Sequence, residues 1–278
     1  MDSYAKARAA ADALAARFKA APLVMGILNV TPDSFSDGGR FVVADAALDH
    51  SLAMAAAGAD IIDIGAESTR PGFIPVGAEE EWARLEPILA PLLARLDLPV
   101  SVDTTKAFVA RKALALGAAM INDVSGLRAD PALAEVAAEC GAALVVMHHC
   151  AEVDPARDIV ADMFAFFDQT LALARAAGVM REKIVLDPGV GFGKSLRQNL
   201  QAIDACGALH EEYGLPVLIG ASRKSFIGAL TGAPVEDRLA GTLAAHLRAF
   251  SRGATIFRVH DVAGHVQALK IWSEIERA

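Results

Sequence analysis

Along most of this chain, short apolar runs alternate with longer Ala/Leu-rich amphipathic stretches. The runs Leu23–Val30, Asp60–Gly65, Pro99–Thr104, Met120–Val124, Ala143–His148, Ile184–Gly189, Val217–Ser222 and Thr255–Asp261 have strand length and are rich in Val, Ile and Leu. Near-continuous apolar runs of this length read as strands buried on both faces. A polar or glycine-containing turn follows each run, and then a helical stretch. Gly58, Gly117, Gly141, Gly178 and Gly214 fall where helices must stop before the next strand. Eight such units in about 255 residues predict an α/β fold, a (β/α)8 TIM barrel. Residues 1–20 add a short amphipathic N-terminal helix, with Leu14 and Phe18 four apart. The expected organisation is therefore a helical extension over 1–20 and a single barrel domain over 21–278.

Polar residues sit at the C-terminal ends of nearly all these runs. They are Asn29, Glu67 with Thr69, Asp103, Asn122, His148, Asp187, Ser222 with Lys224, and Arg258 with His260. In an open doubly wound sheet only the strands beside the switch-point crevice need such residues. In a barrel all eight ends meet at one mouth, where the active sites of this architecture lie. The even spread predicts a barrel and an enzyme.

Composition narrows the class. With 278 residues, 54% hydrophobic and 22% charged, the chain can bury a large core. No apolar run reaches the roughly 18 residues of a membrane helix. Lys6, Arg8, Asp12, Arg17 and Lys19 break up the Ala-rich start, which argues against a signal peptide. Cys140, Cys150 and Cys206 are odd in number and form no C-x-x-C, which suits a reduced, cytoplasmic protein. A net charge of −8 argues against a nucleic-acid partner but leaves room for a local basic pocket and an anionic small molecule.

Several segments carry chemistry. Asp187-Pro-Gly-Val-Gly-Phe-Gly-Lys194 is not a Walker loop, since Pro188 stands where that motif needs glycine. Either its glycines let the backbone approach a flat ligand with Phe192 stacked on it, or it is a flexible loop capped by Asp187. Asp103, Asn122 and Asp187 lie in apolar strand contexts, where an unpaired polar group costs about 1–3 kcal/mol. They form a hydrogen-bond network or await a ligand with matching donors; a 2-amino-4-oxo-pterin offers an NH2 and a ring N–H that a carboxylate can fork. Arg258-Val-His260 has period two, so both side chains leave the last strand on one face. The ends of strands 7 and 8 are a habitual phosphate site in barrels; a surface pair is the plain alternative. In Ser222-Arg-Lys-Ser225, Lys224 fits a diphosphate, a ring carbonyl or a Schiff base. Met147-His-His-Cys150 invites a metal, but adjacent strand histidines point to opposite faces, so a zinc site is not expected there.

Taken in order, the segments Asn29-Val-Thr-Pro-Asp-Ser-Phe-Ser-Asp-Gly-Gly39, Glu67-Ser-Thr-Arg-Pro-Gly72, Ser101-Val-Asp-Thr104, Ile121-Asn-Asp-Val124, Asp187 to Lys194, Ser222-Arg-Lys-Ser225 and Arg258-Val-His-Asp261 resemble those of the dihydropteroate synthase family. The match runs from about Leu23 to the C-terminus. The resemblance implies condensation of a dihydropterin-methyl diphosphate with 4-aminobenzoate, Mg2+ as cofactor, a homodimer and a sulfonamide target. It places Asn29 on the metal with the diphosphate. It places Asp103, Asn122, Asp187 and Lys224 on the pterin, and Thr69, Arg258 and His260 on the diphosphate side. Phe35, Arg70, Pro71, Phe192 and Ser225 would shape the aminobenzoate pocket, and Asp33 or Asp37 would stabilise a cation formed at the pterin methylene. The alternatives are a pterin-binding barrel that does not condense, a methyltransferase relative, and an unrelated Schiff-base aldolase.

The chain departs from the family pattern twice. Ala66 replaces the second residue of a Gly-Gly pair, a mild change unless residue 66 needs positive φ. After Met147 and His148 the family reads Met and then a Gln-Gly loop, whereas this chain reads His149-Cys150-Ala-Glu-Val.

Overall fold

The computed structural model describes residues 3–18, 22–30, 40–67 and 76–278, and of residues 40–43 only the backbone. Eight parallel strands form one sheet in the order β6-β5-β4-β3-β2-β1-β8-β7. They are β1 (Leu23–Asn29), β2 (Ile61–Gly65), β3 (Val100–Asp103), β4 (Met120–Asp123), β5 (Ala143–Met147), β6 (Ile184–Asp187), β7 (Leu218–Ile219) and β8 (Ile256–Val259). A parallel bridge between Leu186 and Val217 joins β6 to β7 and closes the barrel. All eight expected strands are present, each starting or ending within a residue or two of its apolar run.

The helices are α1 (Ala5–Arg17), α2 (Arg40–Ala56), α3 (Ala78–Arg95), α4 (Ala107–Leu116), α5 (Ala132–Cys140), α6 (Ile159–Ala176), α7 (Leu196–Asp204), α8 (Cys206–Tyr213), α9 (Ser225–Thr231), α10 (Leu239–Ser251) and α11 (Val262–Arg277). Gly117 and Gly141 end α4 and α5 in the left-handed region, with φ of 112° and 67°, as the sequence pattern requires.

Two apolar layers hold the barrel. The outer one packs Val24, Leu28, Ile62, Ile64, Val102, Ile121, Leu144, Val146, Leu186 and Phe257 against the helices. The inner one joins Leu23, Met25, Ile61, Met120, Ala143, Val145, Val185, Leu218 and Ile256. Ala11 and Leu14 of α1, followed by Phe18, belong to this inner cluster, so the N-terminal helix seals the barrel floor.

Strand alternation then positions the site. Two residues beyond the inner apolar layer, on the same face, come Asp63, Asn122, Met147, Asp187, Gly220 and Arg258, and Asp103 follows the buried Ser101 in the same way. The barrel interior thus changes from apolar to charged within one step of period two.

Candidate active site

The cleft at the C-terminal mouth is lined by Asp103, Asn122, Val124, Met147, Asp187, Val190, Phe192, Gly220, Lys224 and Arg258. Six of these were expected from sequence: Asp103, Asn122, Asp187, Phe192, Lys224 and Arg258. They come from β3, β4, β6, β8 and the loops after β6 and β7.

Arg258 organises one side. Its Nε donates to Asp63 Oδ2 at 2.6 Å and its Nη2 to Asp103 Oδ2 at 2.8 Å. Asn122 Nδ2 donates to the same Asp63 oxygen at 3.1 Å. Burial works against the Arg258 cation, but Asp63 and Asp103 outweigh it and push its pKa up. Asp103 is pushed up to about 7 by burial, with Arg258 opposing and Asp63 adding to the rise.

The other side carries Asp187 and Lys224. Burial raises the Asp187 pKa, while the Gly189 N–H, 2.7 Å from Oδ1, and the Lys224 cation lower it. Lys224 precedes α9, and its Nζ sits 4.2 Å from the centre of the Phe192 ring. Burial, then the Arg258 charge, bring the ammonium down to about 8, against Asp187 and Asp103.

His260 and Ser222 stand beside the lining residues. Ser222 Oγ accepts from the His260 backbone N–H at 3.2 Å and lies 3.0 Å from His260 Nδ1. The hydroxyl keeps a proton and a second lone pair, so it pairs with either tautomer of the ring. Burial, helped by Arg223 and Arg258, lowers the His260 pKa to about 4, so the ring is neutral at pH 7. Ser225, the first residue of α9, is exposed next to Lys224, and Asn29 is exposed at the end of β1. Asp33, Phe35, Asp37, Thr69, Arg70 and Pro71 lie outside the described residues.

Three expectations need correction. Glu67 does not face the cleft: it accepts from Val76 N–H and pairs with Lys106 at 2.6 Å, which also holds Glu81. His148 points away as well, because Met147 takes the inward position and the next side chain goes to the other face. The glycines after Asp187 serve loop packing first. A Cβ on Gly189 would lie 1.8 Å from His148 O, and one on Gly193 would lie 1.9 Å from Cys150 O. Lys194 reinforces the contact by donating to the carbonyls of His148, Gly189 and Phe192.

Ala66 is buried and is not among the non-glycine residues with positive φ, so its methyl group is accommodated. Asp63 is the residue that sequence reasoning missed. Its signal was a lone carboxylate inside Ile61-Ile-Asp-Ile-Gly65, in phase with the inward face.

The pterin-binding enzyme family model matches residues 25–260. The dihydropteroate synthase of Clostridium beijerinckii is 44% identical over 255 residues, covering 91% of this chain and 94% of the relative. The Clostridium difficile dihydropteroate synthase, solved with pteroic acid, superposes with a TM-score of 0.90 at 44% identity, covering 93% of this chain and 98% of that one. The Xanthomonas albilineans enzyme, solved with 4-aminobenzoic acid, gives 0.89 at 46% identity, covering 93% and 94%. With the family model matching residues 25–260 and relatives aligned over almost the whole chain, this protein belongs to the dihydropteroate synthase family of pterin-binding enzymes.

Proposed function

We propose that the protein joins (7,8-dihydropterin-6-yl)methyl diphosphate to 4-aminobenzoate, forming 7,8-dihydropteroate and diphosphate in folate biosynthesis. The observation that carries this reading is the charged tier above the inner apolar layer. Asp103, Asn122 and Asp187 offer acceptors from β3, β4 and β6, and Lys224, Arg258 and His260 gather on the β7–β8 side.

In this reading Asp187 forks the exocyclic NH2 and a ring N–H of the pterin, while Asn122 and Asp103 meet the remaining polar edge. Lys224 donates to the ring carbonyl. The bond between the methylene carbon and the diphosphate oxygen breaks, and its electron pair leaves with the diphosphate. Arg258, with His260 beside it, meets the charge that develops there. The arylamine lone pair then forms the new C–N bond, and its surplus proton goes to solvent. An arylamine is neutral and nucleophilic at pH 7, so no strong general base is required.

Asn29 suits Mg2+, which commonly takes one or two protein oxygens together with substrate phosphates and water. Its amide is a hard oxygen donor, exposed at the mouth at the end of β1. When bound, the ion would supply charge neutralisation to the diphosphate. Thr69 is assigned to the diphosphate side, and Phe35, Arg70, Pro71, Phe192 and Ser225 to the aminobenzoate pocket. Asp33 or Asp37 would stabilise the cationic methylene, and closure of their loop would keep water from it. The reading includes a homodimer in the cytoplasm. Three free, buried cysteines suit a reducing compartment, and no described helix is long and apolar enough to cross a membrane.

The test is diphosphate release with and without 4-aminobenzoate and Mg2+. Turnover dependent on aminobenzoate is expected. Turnover independent of it, or none at all, overturns the reading.

A further inference from the structure

The loop after β5, where the chain departs from the family pattern, brings together three atoms of metal-ligating type. His148, Cys150 and Asp162 each offer a ligand atom, and these lie within 4.8 Å of one another. We propose that His148, Cys150 and Asp162 form a binding site for a thiophilic divalent cation of the Zn2+ class, separate from the substrate cleft.

The geometry is close to what such an ion needs. His148 Nε2 is 3.0 Å from Asp162 Oδ2, and Cys150 Sγ is 3.7 Å from the same oxygen. Ligands placed about 2.0–2.3 Å from a tetrahedral ion stand roughly 3.3–3.8 Å apart, so the group needs only small adjustments. Imidazole, thiolate and carboxylate are each zinc ligands, three protein ligands with one open position is a zinc arrangement, and the sulfur disfavours hard cations such as Mg2+.

The three ligands are held by different elements. His148 N donates to Asp187 O at 2.9 Å and Cys150 N to Phe192 O at 3.4 Å, which fixes both against the loop after β6. Asp162 lies in the first turn of α6, where Asp158 accepts from the N–H groups of Val160 and Ala161. His148 is fully buried and Cys150 nearly so, whereas the Asp162 side chain is 37% exposed and opens a path to solvent. A bound ion would tie α6 to the backbone that carries Asp187 and Phe192.

The charges and protons balance. Thiolate and carboxylate together neutralise a dication, and the thiol proton leaves to solvent. Binding through His148 Nε2 moves the ring proton to Nδ1. Nδ1 is buried without a hydrogen-bond partner, so the proton it gains is an unpaired donor that lowers the affinity. Arg157, which reaches Asp162 at 3.4 Å, is partly exposed and can turn outward. Burial raises the Cys150 thiol pKa, and Lys194 opposes that rise without cancelling it; the same cation repels a dication. Affinity should therefore fall below that of a four-ligand structural zinc.

The test is a Co2+ titration of chelator-treated full-length protein, followed in the near-ultraviolet. Wild type should show a thiolate-to-cobalt charge-transfer band that Zn2+ displaces and excess Mg2+ does not. Cys150→Ser should lose the band. Asp162→Asn changes a partly exposed side chain and should weaken Co2+ binding about 10-fold or more, the scale at which even outer partners of a metal act. Zn2+ should raise the melting temperature of wild type but not of Cys150→Ser. If Cys150→Ser does not fold, the wild-type spectrum and Asp162→Asn still decide. The absence of a band in wild type, its survival in Cys150→Ser, its displacement by Mg2+, or unchanged Co2+ affinity in Asp162→Asn each overturns the proposal.

Discussion

Replacing Asp63 with Asn tests whether a buried carboxylate holds Arg258 in place. Asp63 is fully buried, and one of its oxygens takes bonds from both Arg258 and Asn122. Two unit charges about 4 Å apart attract by roughly 4 kcal/mol at an effective dielectric of 20. Asparagine keeps the shape and one acceptor, which recovers about 1 kcal/mol. Arg258 also retains Asp103 at 2.8 Å, and the repulsion between the two carboxylates disappears. The expected net loss is therefore about 2–3 kcal/mol of stability, below the 3–5 kcal/mol for stripping a buried ion of its sole partner. Urea unfolding followed by circular dichroism reads this directly. Asp63→Asn with Asp103→Asn should lose about 1 kcal/mol more than the sum of the single variants, because only the double variant leaves Arg258 without a hydrogen-bonded carboxylate. Diphosphate release should fall with stability, since an unanchored Arg258 no longer meets the leaving group. An unchanged urea midpoint together with an additive cycle would refute the pairing argument.

Asp187→Asn should weaken pterin binding by about 2–3 kcal/mol, because it removes a charge-assisted fork; an unchanged dissociation constant by calorimetry would remove Asp187 from the pterin site. Gly189→Ala would set a methyl 1.8 Å from His148 O at a φ of +68°. It should cost at least about 1–3 kcal/mol in stability and raise KM for the pterin, and a wild-type urea curve would contradict that. Lys224 loses its proton as pH rises through about 8 in the free enzyme, so kcat/KM for the pterin substrate should fall on that alkaline limb. Lys224→Arg should move the limb beyond the measured range, and kcat should stay flat through neutrality; a kcat that requires one essential base near pH 7 would contradict the mechanism. Withdrawing Mg2+ or making Asn29→Ala should weaken binding of the diphosphate substrate and spare that of the free pterin. Equal losses for both ligands would place the metal elsewhere.

The barrel was legible because two periodicities agreed. Apolar runs of strand length marked the sheet, and glycines at helix ends marked the returns. Asp103, Asn122, Asp187 and Arg258 were legible because each continues its strand's inward face by one step. Asp63 was not, because a single carboxylate amid isoleucines looks like an interruption of the strand. Glu67 and His148 were misplaced for the opposite reason. Both are polar and near a strand end, but alternation takes His148 outward, and Glu67 lies past the end of β2 and is captured by Lys106. The grouping of Cys150 with Asp162 depends on how a loop folds back onto α6, and no local pattern encodes that. The segments 31–39 and 68–75, which carry the remaining expected side chains, lie outside the described residues.

The sealed floor has a kinetic consequence. Leu14 and Phe18 close the end of the barrel opposite the mouth, so the cavity is a blind well and not a passage. Traffic in a blind well is last in, first out. On the proposed function, a ligand on the Asp103–Asn122–Asp187 tier lies beneath whatever is held near Phe192 and Ser225 and leaves after it. On that reading, a compound that imitates the aminobenzoate therefore caps the well, and it should slow the release of a pterin ligand bound beneath it.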